Sequence, residues 1–175
     1  KRQKANPEKI PHLKPAFRKN GTVTPANSSS ISDGAAALVL ASKSYANKYH
    51  LNVRARILGH ASHAQEPGWF TTAPVFAIQK LLDSLEWDVS TVDLFEVNEA
   101  FAVVAMAAMK DLGIPHNKLN IHGGACALGH PVGASGARII VTLLHALERY
   151  DLKRGVASLC IGGGEATAMA FERIC

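Results

Sequence analysis

The chain has 175 residues, 47% of them hydrophobic, with a formal charge of +5 and a pI near 9.2. That length and composition support one substantial core, and no apolar run is long enough to span a bilayer as a helix. Three cysteines, Cys126, Cys160 and Cys175, without disulfide-like spacing exclude a disulfide-stapled scaffold and fit a reducing compartment. Much of the positive excess sits at Lys1, Arg2, Lys4, Lys9, Lys14, Arg18 and Lys19. A basic stretch of this kind is either a solvated surface or a site for a phosphorylated ligand. No nucleic-acid-binding motif accompanies it.

Residues 1–30 are polar and broken by Pro7, Pro11, Pro15, Gly21 and Pro25, which predicts irregular structure. Gly34 to Ala41 is a continuous small apolar run and predicts a buried strand. Ser42 is placed to cap a helix through Tyr49. Val53 to Leu58 alternates apolar residues with Arg54 and Arg56, as a strand with one wet face does. Pro74 to Leu85 carries Val75, Ile78, Leu81, Leu82 and Leu85 at helical spacing behind an early proline. Val92 to Val97 is a short strand. Glu99 to Leu112 is an Ala- and Met-rich helix stopped by Gly113 and Pro115. It is apolar nearly all round, so it is expected to be buried on both sides. Pro131 to Tyr150 is a long helix with Ile139, Ile140, Leu143, Leu144 and Leu147 on its apolar side. Val156 to Ile161 and Ala166 to Ile174 are strands joined by a glycine turn. The order β-α-β-α-β-α-α-β-β predicts an α/β protein with a mixed sheet covered by helices.

Three segments carry chemistry. Gly123, Gly124, Gly129, Gly133 and Gly136 frame His130, which stands directly before Pro131. Proline suits the first turn of a helix and disfavours helix at the residue before it. His130 is therefore expected on a loop at a helix start, with so little side chain around it that a substrate approaches closely. Cys160 is followed by Ile161 and Gly162-Gly163-Gly164 at the end of an apolar run. Asn98-Glu99-Ala100-Phe101 precedes a helix. Each has a plain structural reading as well: Asn98 as a helix cap, His130 as a packed loop residue, Cys160 as inert core, and the glycines as a tight turn.

Taken together and in order, these segments resemble the thiolase family, whose blocks read N-E-A-F, G-G-x-x-x-L-G-H-P-x-G-x-S-G-x-R and C-x-G-G-G. A fourth block, Gly21-Thr22-Val23-Thr24-Pro25-Ala26-Asn27-Ser28-Ser29-Ser30 through Asp33-Gly34-Ala35-Ala36-Ala37, is similar to the family's G-T-V-T-A-x-N-A-S-x-x-x-D-G-A-A-A. The resemblance runs from one end of the chain to the other. It implies the C-terminal half of a thiolase fold, a mixed sheet with helices on both faces. Residues 1–31 would be the tail of a CoA-contacting loop domain and residues 32–175 the C-terminal domain. It also implies that the acylated cysteine belongs to an N-terminal half outside this stretch, without which the chain is expected to be inactive.

The resemblance further implies acyl transfer and Claisen condensation or thiolysis between acetyl-CoA and acetoacetyl-CoA. The alternatives are a 3-ketoacyl-CoA thiolase of fatty-acid oxidation and a non-catalytic acyl-CoA-binding subunit. His130 would raise the thiolate character of the nucleophile and donate to the thioester oxygen. Cys160 would shuttle the α-proton, Asn98 would hold a water in one oxyanion hole, and the Gly162 N–H would serve a second. Ser29, Leu13, Phe17, Ile31, Phe70 and Phe101 match positions along the CoA and acyl path. The bulk of Trp69, Phe70 and Phe76 suits a short acyl chain. His122 matches a variable position outside catalysis, and His60, His63, His116 and His145 show no metal-ligand pattern. No cofactor is implied beyond the CoA thioester substrate; some relatives are activated by potassium. The expected partners are the N-terminal half and further copies in a homodimer or homotetramer, with no nucleic acid or membrane. The expected compartment is the cytoplasm, with the mitochondrial matrix as an alternative. Glu165, after the glycines, departs from the family pattern and would either oppose negative charge there or turn away to a cation.

Overall fold

Nine α-helices and β-strands follow one another in the computed structural model, which describes residues 6–174. They are α1 (Lys43–Lys48), β1 (Ala55–Ala64), α2 (Ala73–Ser84), β2 (Leu94–Val97), α3 (Ala102–Leu112), α4 (Ala125–Leu128), α5 (Ser135–Arg149), β3 (Arg154–Ile161) and β4 (Glu165–Arg173). Lys1, Arg2, Lys4 and Cys175 lie outside the described residues. The strands form one mixed sheet in the order β1-β4-β3-β2. The β1–β4 and β4–β3 pairs are antiparallel, and β3–β2 is parallel. No helix among the described residues is long and apolar enough to cross a membrane.

Strand alternation divides the apolar residues between two cores. Phe95 and Val97 of β2, Val156 and Cys160 of β3, and Ala166, Ala168 and Ala170 of β4 face α2 and α3. Leu94, Ala157 and Phe171 turn the other way, onto Ile139, Leu143, Ala146 and Leu147 of α5. Small residues on β4 let α2 lie close to the sheet, where Ala73, Ala77, Ile78 and Leu81 are fully buried. A two-sided sheet of this kind is the architecture read from the element order.

Several boundaries differ from the sequence reading. Val53–Leu58 is extended by pairing with β4: the strand runs on to Ala64, past an irregularity between Ile57 and Gly59. The helix expected from Glu99 begins at Ala102, and the one expected from Pro131 begins at Ser135 after a turn on the Pro131 carbonyl. The apolar run Gly34–Ala41 forms no strand, and Val39 and Leu40 are 98% and 74% exposed. Backbone groups in a strand need a partner, and no described strand pairs with this segment.

α3 is likewise covered on one side only. Val104, Ala105 and Ala108 are buried, whereas Val103 and Met106 are exposed. Apolar surface exposed in this way drives association. The chain by itself is therefore expected to self-associate, with light scattering above the monomer mass and binding of a dye for apolar surface. A dye-negative monomer at high concentration would contradict this.

Candidate active site

The parallel pair β2–β3 sets the site. Its strands end side by side, the position at which open α/β sheets expose their ligand-binding crevices. Val97 pairs with Ser158, and the next residue, Asn98, donates its backbone N–H to the Ser158 carbonyl at 2.9 Å. Cys160 lies two residues further along β3. The Asn98 side chain is buried, and it is not a helix cap: α3 starts with Phe101 in the capping position. Asn120 clamps the end of β2 by accepting from the Val97 N–H at 2.9 Å and donating to the Val97 carbonyl at 2.8 Å. Glu99 accepts from Asn120 Nδ2 at 3.0 Å and from the Cys126 N–H at 3.1 Å, which ties the glycine loop to the same strand end.

His130 is fixed from three sides. Its N–H donates to the Ser30 carbonyl at 2.8 Å, and Ile31 bridges to it in parallel. That crossing requires glycine at 129: the backbone there has φ +97°, and a Cβ would overlap the Ser32 hydroxyl. The imidazole Nδ1 lies 2.6 Å from Ser135 Oγ, and Nε2 lies 3.5 Å from Asn98 Nδ2. Arg138 Nη2 donates to Asn98 Oδ1 at 3.4 Å, and its Nη1 lies 3.6 Å from Glu96 Oε2. Burial, and then the Arg138 charge, hold His130 below the ordinary histidine pKa. Burial raises the Glu96 pKa to about 8; Arg138 opposes the shift and Glu99 adds to it. Ser135, Arg138, Asn120 and Glu96 were not singled out from the sequence as functional. The only signal was position, since Ser135 and Arg138 lie inside the His130 block.

Cys160 is buried. Burial pushes its thiol pKa up, against a smaller lowering by a backbone hydrogen bond. The resting group is therefore a thiol rather than a thiolate. Gly162 stands exposed on the turn after it, with nothing within 4 Å of where a Cβ would be. Gly164 is packed hard: its φ is +96°, a Cβ would overlap the Gln65 carbonyl oxygen, and its own carbonyl accepts from the Gln65 N–H at 3.0 Å. Glu165 is exposed at the start of β4, opposite Ile161 and Ala64.

The residues assigned to the CoA path divide. Phe101 forms an edge-on cluster with Phe17 at 5.6 Å and Phe70 at 6.2 Å between ring centroids. Ser29 borders it, donating both its N–H and its hydroxyl to the Ala100 carbonyl. Ile31 is 93% exposed beside His130, and Leu13 is half-buried. Phe76 stacks on His63 instead, and Trp69 is exposed. His122 stacks on Tyr150.

The family model of the thiolase C-terminal domain matches residues 51–173, and that of the thiolase N-terminal domain matches residues 1–44. The chain belongs to the thiolase family. It is 55% identical to a probable acetyl-CoA acetyltransferase of Dictyostelium discoideum, over 95% of this chain and 40% of that protein. The crystal structure of the Bacillus anthracis acetyl-CoA acetyltransferase superposes with a TM-score of 0.92 at 44% identity, over 95% of this chain and 42% of that one. Human mitochondrial 3-ketoacyl-CoA thiolase in complex with CoA superposes at 0.90 with 36% identity, over 98% of this chain and 44% of that one. The chain thus has the thiolase fold and spans about two fifths of the length of these relatives. The unpaired run Gly34–Ala41 falls inside the stretch matching the N-terminal domain.

Proposed function

We propose that this chain supplies the acid/base side of an acetyl-CoA acetyltransferase and works with a nucleophilic cysteine carried by a thiolase N-terminal half. The observation that carries the reading is the meeting of His130 and Asn98 at 3.5 Å, at the end of the strand pair that also bears Cys160. Residues 1–31 would border the CoA path and residues 32–175 carry the chemistry. In the first step the nucleophile's Sγ bonds to the acyl carbon, and the bond from that carbon to the CoA sulfur breaks, with a solvent proton going to the departing CoA thiolate. His130 draws the proton from the nucleophile, which a neutral imidazole is suited to do.

In the second step a new acetyl-CoA loses an α-proton to Cys160 in its thiolate form. Its α-carbon bonds to the acyl carbon, and the nucleophile leaves as thiolate. His130, still carrying on Nε2 the proton it took in the first step, and a water on Asn98 would stabilise the enolate oxygen, and the Gly162 N–H the acyl oxygen. The Phe17–Phe70–Phe101 cluster beside Ser29 would border the thioester arm. Preference for acetoacetyl-CoA is favoured by the higher identity to an acetyl-CoA acetyltransferase among the superposed structures, 44% against 36% for the 3-ketoacyl-CoA thiolase. Assembly as a homodimer or homotetramer and a cytoplasmic setting belong to the same reading.

The test is complementation. The purified chain, checked by mass spectrometry, is expected to show no thiolysis of acetoacetyl-CoA, and a thiolase N-terminal half added in cis or in trans is expected to restore it. Turnover by the chain alone would overturn the requirement for the second half. Faster turnover of long-chain than of short-chain substrates by the complemented enzyme would overturn the acetoacetyl-CoA assignment.

A further inference from the structure

We propose that Arg138 is a positioning residue that locks the amide of Asn98 and thereby holds neutral His130 as its Nδ1–H tautomer, with Nε2 as the unprotonated, accepting nitrogen. The acylation mechanism needs a base at His130 but does not say what prepares it, and it gives no role to the buried Glu96–Arg138 pair.

The hydrogen bonds permit one consistent assignment. A guanidinium only donates, so the Asn98 atom facing Arg138 Nη2 at 3.4 Å is the carbonyl oxygen. The amide nitrogen is thereby turned toward His130 Nε2 at 3.5 Å. An amide NH2 also only donates, so Nε2 is the acceptor. The opposite side of the ring is compatible with this assignment: with the Ser135 hydroxyl donating to the Pro131 carbonyl at 3.1 Å, its Oγ accepts from Nδ1–H at 2.6 Å.

Arg138 is itself held. Its Nη1 reaches both Glu96 Oε2 at 3.6 Å and Thr142 Oγ1 at 3.4 Å, and the Thr142 hydroxyl donates back to the Arg138 carbonyl at 3.1 Å. Its Nε is buried with no hydrogen-bond partner among the described residues. The Arg138 charge also disfavours protonation of His130. Arginine and buried glutamate together thus present a neutral imidazole whose unprotonated nitrogen is Nε2. The catalytic consequence rests on the acyl-transfer reading above; the tautomer itself does not.

The test is the tautomer of His130 in the chain labelled with 15N-histidine, read from imidazole 15N–1H correlations at a pH where the ring is neutral and assigned with His130→Gln. Wild type is expected to show predominantly Nδ1–H. Arg138→Met frees the Asn98 amide to turn its oxygen toward Nε2, and the minor Nε2–H population is expected to rise about five-fold or more, the equilibrium effect of one hydrogen bond. Asn98→Asp puts an acceptor opposite Nε2 and is expected to make Nε2–H predominant. Predominant Nε2–H in wild type, or an unchanged ratio in Arg138→Met, would overturn the proposal. Should Arg138→Met lose its circular dichroism signature of folding, wild type and Asn98→Asp decide: Asn98→Asp leaving Nδ1–H predominant overturns it. None of these measurements needs turnover, so their failure is distinct from failure of the thiolase reading.

Discussion

Cys160→Ala in the complete enzyme is expected to abolish exchange of the acetyl-CoA α-proton with solvent while acylation of the nucleophile stays largely intact. In the mechanism proposed above the two steps use different groups: acylation would draw on His130, whereas removal of the weakly acidic α-proton needs a base of its own. Loss of a positioned general base costs about a hundred- to ten-thousand-fold. The environment of Cys160 adds a pH signature. Burial holds its thiol pKa above the ordinary value. At neutral pH only a minority is thiolate, and only the thiolate takes the proton. Exchange by the wild-type enzyme is therefore expected to climb as pH rises from neutral toward the thiol pKa, and Cys160→Ala to show no such rise. Solvent-deuterium incorporation followed by mass spectrometry measures both. Exchange near the wild-type rate in Cys160→Ala would remove Cys160 from the shuttle role.

Two glycines in the turn after Cys160 are expected to respond in opposite ways. At Gly164, alanine meets both a backbone at φ +96° and the Gln65 carbonyl, a main-chain atom that moves only if β1 moves with it. The cost is expected to be about 3 kcal/mol or more, because backbone strain and steric overlap act together. At Gly162, alanine finds open space and no left-handed backbone. Stability should stay within about 0.5 kcal/mol. The new methyl group would instead occupy space proposed for the acyl thioester, and kcat/KM of the complete enzyme is expected to fall about ten- to a hundred-fold. Urea midpoints and steady-state kinetics on both variants separate the effects. A Gly164→Ala protein as stable as wild type would show that the turn is looser than its packing against Gln65 implies. Full activity in Gly162→Ala would place the acyl group elsewhere.

The sequence by itself determined the parts of this protein whose signal is local. Periodicity marked α2, α5 and the start of β1, because a face pointing at a core repeats at the period of the element that carries it. Glycine and proline around His130 marked the loop, and four ordered blocks carried the family. Where an element needed a partner, local signal failed. Gly34–Ala41 has the composition of a buried strand, yet no described strand pairs with it. β1 runs six residues past Leu58, through His60 and His63 to Ala64, because β4 supplies hydrogen bonds that no local pattern announces.

The site shows the same division. His130, Asn98 and Cys160 were legible from their blocks, but the link from Glu96 through Arg138 and Asn98 to His130 was not. Glu96 lies 42 residues from Arg138, and Asn98 lies 32 from His130. Only the parallel β2–β3 pair, with α5 packed across it, brings a carboxyl, a guanidinium, an amide and an imidazole into one line, its first link an ion pair and the others hydrogen bonds. A buried glutamate in a strand reads from sequence as an interruption of the apolar pattern; it becomes an anchor only once the fold places an arginine opposite it.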